Sequence, residues 1–124
     1  MVSSLSPYRA LFHAIQSIEK VELHSHLYGS FPMKTIEEMA TKKQRERIQS
    51  ICQRMQQERR YAIAFELFPL VSEVVDTYQK LQEATYSMLQ EQIQERVVYL
   101  EIRTGVKELK DNCTSMTGKG KRQI

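Results

Sequence analysis

The chain has 124 residues, of which 41% are hydrophobic and 27% charged, with 18 basic and 15 acidic side chains and a formal net charge of +3. That length suits one domain, and so small a charge leaves no footprint for nucleic acid; the basic run Gly118-Lys119-Gly120-Lys121-Arg122 reads as a solvated tail. No apolar run approaches the ~20 residues of a membrane span, and the start, Met1 to Pro7, lacks the basic opening and apolar block of a secretory signal, so a soluble cytoplasmic protein without membrane or nucleic-acid partners is expected.

Ser6-Pro7 reads as a helix start, serine capping and proline in the first helical position. Leu5, Tyr8, Leu11, Phe12, Ile15 and Ile18 then form one apolar stripe at helical spacing, with His13 beside it as a surface residue. From Lys20 to His26 the period changes to two: Val21, Leu23 and Ser25 alternate with Glu22, His24 and His26, which predicts a strand. Gly29 to Pro32 ends it, and Ser30 is expected to cap a helix beginning near Pro32 or Met33. Met33 to about Arg60 is helical in propensity and very polar, with Ile36, Met39, Ile48, Ile51, Cys52 and Met55 as sparse apolar positions. It reads as a solvated helix or a partly flexible insertion.

Tyr61 to Val75 is apolar on more than one face and should be buried. Pro69 would cost about 3 kcal/mol inside a helix, so a helix that starts or bends there is expected. Tyr78, Leu81, Thr85, Met88, Leu89 and Ile93 mark a further amphipathic helix, capped by Asp76 or Thr77, and Val97 to Thr104 is the second strand. Two strands joined by a long helical crossover imply a parallel βαβ arrangement. Cys52 and Cys113 are far apart and form no C-x-x-C unit, so they read as free thiols in a reducing compartment.

In a strand, residues i and i+2 point to one face, about 7 Å apart along the chain. His24 and His26 would therefore aim two imidazoles at a common metal, whereas a helix would splay them. Glu22 would share that face, as an imidazole's partner or as the wet end of the strand. H-x-H alone admits both a metal edge and two ordinary polar residues. Its position favours the former, because catalytic residues of parallel α/β folds gather at the C-terminal ends of strands.

Lys20-Val21-Glu22-Leu23-His24-Ser25-His26-Leu27-Tyr28-Gly29-Ser30 resembles the first strand of the adenosine deaminase superfamily, in particular the adenosine deaminase-like branch that reads K-V-E-L-H-A-H-L-N-G-S. Val98-Tyr99-Leu100-Glu101-Ile102-Arg103-Thr104 looks like that branch's second strand. Phe65-Glu66-Leu67-Phe68 is similar to its F-x-x-F helix, and Ser115-Met116-Thr117 to its G-M-T segment. The resemblance implies a (β/α)8 TIM-type barrel with zinc at its C-terminal mouth, and zinc-dependent hydrolytic deamination of a 6-aminopurine, with N-methylated AMP giving IMP in this branch. It implies His24 and His26 as zinc ligands and His26, Tyr28, Thr104 and Lys107 as substrate-binding residues. The substrate partner would be a purine nucleoside or nucleotide, and no oligomeric state is implied.

The chain reads as the first portion of such a barrel: an N-terminal helix over 1–19, the β-α-β portion over 20–104, and a polar basic tail over 105–124. A barrel typically needs about 250 residues, and no H-x-x-E occurs here to supply a later histidine and the proton-donating glutamate. The chain alone is therefore expected to be inactive, with no catalytic residue of its own. Tyr28 stands where the family has Asn or Asp, and Ser72 where the branch often has histidine. Thr104-Gly105-Val106-Lys107 replaces a segment linked to phosphate binding, and Glu95-Arg96 replaces an Asp-Gly turn. Two alternatives stay open: another H-x-H barrel metallo-hydrolase, and a non-catalytic helical interaction protein.

Overall fold

The computed structural model describes residues 7–111, which form a helix-rich partial α/β fold. In chain order these are α1 (Pro7–Ser17), β1 (Lys20–His26), a 3-10 turn (Leu27–Gly29), α2 (Met33–Met39), α3 (Lys42–Glu58), α4 (Tyr61–Ala64), α5 (Leu67–Val74), α6 (Tyr78–Gln94) and β2 (Val97–Arg103). The two strands are parallel neighbours, as the long helical crossover predicted. β2 ends at Arg103, one residue before Thr104. Leu5, the expected cap Ser6, Cys113, Ser115-Met116-Thr117 and the basic run lie outside the described residues.

The core is mostly helical. Ile36, Ile48, Leu70, Val74, Val75, Ala84 and Met88 are almost wholly inaccessible, and Leu27, Tyr28 and Leu100 pack against them from the sheet side. Each large aliphatic side chain buried there stabilises by about 1.5–3 kcal/mol.

The stretch from Met33 to Arg60 differs from the expected solvated helix. The chain breaks at Ala40, whose backbone is extended at ψ 146°, and restarts at Thr41. Thr41 Oγ1 accepts from the Gln44 amide at 3.3 Å, while Gln44 Oε1 accepts from the Thr41 amide at 3.0 Å. This reciprocal capping box satisfies donors that the helix start leaves free. The sparse apolar residues are the inward contacts: Ile36, Ile48 and Ile51 are all buried. Two ion pairs fasten α3 to its neighbours, Arg47–Glu73 at 3.0 Å and Arg54–Glu66 at 2.9 Å.

Pro69 is the third residue of α5, in the first turn, where its missing N–H breaks no intrahelical bond. Thr77, not Asp76, caps α6, accepting from the Lys80 amide at 3.2 Å. Ser30 does not cap α2; Pro32 holds that position, and the Ser30 hydroxyl is engaged by β1 instead.

The other side of the molecule is open. α1 contributes no buried residue, and its stripe of Tyr8, Leu11, Phe12 and Ile15 is exposed, as are Ile18 just after it, Val21 and Leu23 on β1, and Val98 and Tyr99 on β2. Between α6 and β2, Arg96 takes the left-handed region at φ 58°, a conformation that favours glycine.

Candidate metal-binding pair and adjoining cleft

β1 leaves the regular ladder just before its histidines. Glu22 pairs with Leu100 and Ser25 with Ile102, so β1 spends one more residue than β2 over that interval. The His24 amide is taken by Glu22 Oε1 at 2.8 Å. Glu22 thus serves the backbone of His24 and makes no contact with either imidazole nitrogen.

Both histidines are exposed at the C-terminal end of β1, and their Nε2 atoms stand 3.0 Å apart. With neutral rings, one nitrogen donates and the other accepts. The same separation lets both nitrogens reach one cation at the ~2.0–2.1 Å of a zinc–imidazole bond. The donor set therefore fits zinc. Among the described residues no group of three or more His, Cys, Asp or Glu side chains is arranged to hold a metal. His13 sits apart in α1, its ring edge-on to Phe12.

Two serines fix the backbone between the histidines and the turn. Ser25, 8% exposed, shares a 2.7 Å hydrogen bond with the Ser30 hydroxyl, and Ser30 Oγ donates to the His26 carbonyl at 2.7 Å. The 3-10 turn is thereby folded back onto the strand. It carries Gly29 against Phe68, where an added Cβ would come within 2.8 Å of Phe68 Cε1.

A cleft of about 370 Å³ opens beside the pair, lined by His26, Tyr28, Gly29, Phe65, Phe68, Arg103, Thr104 and Gly105 among others. Three of the expected substrate residues, His26, Tyr28 and Thr104, meet there. Lys107 does not line it: its Nζ donates to the Ser72 carbonyl and, at 3.0 Å, to the Val75 carbonyl. Burial pushes the Lys107 ammonium down from its ordinary pKa and the Tyr28 phenol up. Sequence reasoning did not assign Arg103, Phe65 or Phe68 to the site. Their signals were visible, Arg103 as the last residue of β2 and the two phenylalanines in F-x-x-F.

The sequence profile of the adenosine deaminase family matches residues 19–111, which takes in both strands, the helices between them and the paired histidines. The chain belongs to the adenosine deaminase family. Among curated proteins, the N6-methyl-AMP deaminase of Danio rerio is 28% identical over 102 residues, covering 81% of this chain and 29% of that protein. An adenosine deaminase-like protein of Drosophila pseudoobscura pseudoobscura is 30% identical over 103 residues, covering 78% of this chain and 30% of that one. The chain thus spans about 30% of the length of these curated deaminase relatives. No solved structure matches it. Within the family frame, the H-x-H pair falls at the end of the first matched strand, and no described helix is long and apolar enough to cross a membrane.

Proposed function

We propose that this chain carries the first two strands of a deaminase-type (β/α)8 barrel and the first half of its zinc site, with N-methylated AMP as the purine substrate and the cytoplasm as its place of action. The observation that carries this reading is the 3.0 Å convergence of His24 and His26 Nε2 at the end of β1, beside a cleft of about 370 Å³ that has room for a purine. Zinc held by His24 and His26 would supply Lewis-acid activation of water for attack on the purine. His26 belongs to both the pair and the cleft, so it would set the distance between metal and base. Phe65 and Phe68, 5.8 Å apart by ring centroids, offer an apolar wall for a planar ring. Tyr28 and Thr104 also line the cleft, and each hydroxyl can donate or accept a hydrogen bond. The Arg103 guanidinium, at the end of β2, gives the cleft a permanent positive charge for an anionic group.

Two imidazoles are short of the three protein ligands usual for catalytic zinc. The 124-residue chain by itself should therefore bind zinc weakly and release no methylamine from N6-methyl-AMP. Calorimetric titration with zinc tests the metal half of the proposal: binding should disappear in both His24→Ala and His26→Ala. Zinc binding unchanged by either substitution sinks it. The substrate half is read from amide resonances of His26, Tyr28 and Thr104 on adding N6-methyl-AMP; shifts confined to other regions would refute the cleft assignment.

A further inference from the structure

The segment after β2 is fastened to the corner between α5 and α6 at three points. Lys107 Nζ donates to the carbonyls of Ser72 and Val75. Lys110 Nζ meets Asp76 Oδ2 at 2.6 Å, and its amide donates to the Asp76 carbonyl at 2.8 Å. Asp111 Oδ1 accepts from the Tyr78 amide at 2.6 Å. The carbonyls at the end of a helix have no partner within it, and a cation there is favoured by the helix dipole. Lys107 is that cation for α5, brought from 32 and 35 residues away.

The same ammonium stands 5.3 Å from the centroid of the Tyr28 ring, within cation–π range. Tyr28 is held in turn by an edge-on contact with Phe31, their centroids 5.3 Å apart. An ammonium has three donors. Two are committed to carbonyls and the charge faces an aromatic ring, so an anion at Lys107 would have to displace existing partners. Thr104 and Gly105, three and two residues before it, line the cleft, and Lys107 does not.

We infer that Lys107 is a positioning residue: by capping α5 and seating on Tyr28, it holds Thr104 and Gly105 as one wall of the His26–Tyr28 cleft without itself touching a ligand. The inference stands on these contacts and needs no purine, so it and the deaminase proposal fail on different measurements.

The test is amide hydrogen exchange and aromatic NMR on the 124-residue chain. In Lys107→Met, exchange at Tyr78 and Lys110 should rise about tenfold or more, the effect expected when hydrogen bonds from a charged group are lost. Exchange at Ile51 in α3 should stay unchanged. The Tyr28 ring resonances should move with it, and Lys107→Arg, which keeps charge and donors, should restore both readouts. An α5 cap with no bearing on the cleft would leave the Tyr28 ring unmoved, and that result overturns the inference. So does saturable displacement of the wild-type Lys107 ammonium signal by inorganic phosphate at millimolar concentration. Should Lys107→Met unfold the chain, the wild-type ammonium decides: slowly exchanging Nζ protons support the clasp, and solvent-averaged ones refute it.

Discussion

The helical side and the sheet side of this molecule are built to different degrees of completion. Around α2, α3, α5 and α6 the apolar residues find one another: Ile36, Ile48, Val74 and Val75 are 0% exposed. Across α1 and the two strands, residues of the same chemistry remain open, Leu11 at 58%, Val21 at 59% and Val98 at 61%. Apolar area removed from water is what stabilises a fold. The helical side therefore carries the stability of the described chain, and the sheet side holds surface suited to further partners. Among the described residues each strand has one edge without a neighbouring strand, and such an edge beside exposed valine and leucine is where association with other chains would begin.

Substitutions can break this contrast. Ile48→Ala, in the closed half, should cost about 2–5 kcal/mol in urea unfolding, a lost side chain plus the cavity it leaves. Leu23→Ala, in the open half, should stay within about 0.5 kcal/mol. Equal losses would mean that the sheet side is packed in solution.

A smaller effect belongs to the corner where the two halves meet. Lys110 and Lys80 beside Asp76 hold its carboxyl at about 2, below its ordinary 3.8. The folded chain thus takes up this proton less readily than the unfolded one. The stabilisation is complete above about pH 4 and is lost as the pH falls through about 2. Partial exposure limits it to about 1–2 kcal/mol. Asp76→Asn should flatten the stability profile across that window in acid-titrated thermal melts, and an unaltered profile would remove Asp76 from the account.

Smaller again is the restart of the chain at α3. Thr41→Ala removes a side-chain cap and should cost about 1 kcal/mol by thermal unfolding. At the entrance to β2, Arg96→Gly should do the opposite. It relieves a left-handed residue at φ 58° and should add about 0.5–1 kcal/mol, with the exposed Arg96–Glu19 pair worth little. A loss of stability there would show that the ion pair outweighs the backbone strain.

These contrasts also explain which parts were legible in advance. β1 announced itself by alternation at period two and β2 by its β-branched residues, and the period of β1 alone aimed His24 and His26 the same way. Pro69 marked a helix start because its ring and missing N–H act locally. The break at Ala40 lacked glycine or proline; its signal was the quieter Thr41…Gln44 box. Ser30 was misjudged because Ser25, five residues back, competes for its hydroxyl once β1 and the turn are folded. Lys107 was legible only as a charge. Its carbonyl partners lie on an element that sequence spacing cannot bring near it. The open apolar stripe of α1 reads in sequence like any buried helix face, since periodicity shows which side is apolar and not what covers it.

The pairing of β1 with β2 has a consequence in time. Residues 27–96 separate strands that are direct neighbours. Closing so long a loop costs entropy before any ladder bond repays it, and contacts distant in sequence slow folding. The helices between can form and pack first, drawing the two strand ends together as they do. The cleft wall built by Thr104 would then be assembled last, so a chain emerging from synthesis would complete the end that carries the paired imidazoles only after residue 103 is free to dock.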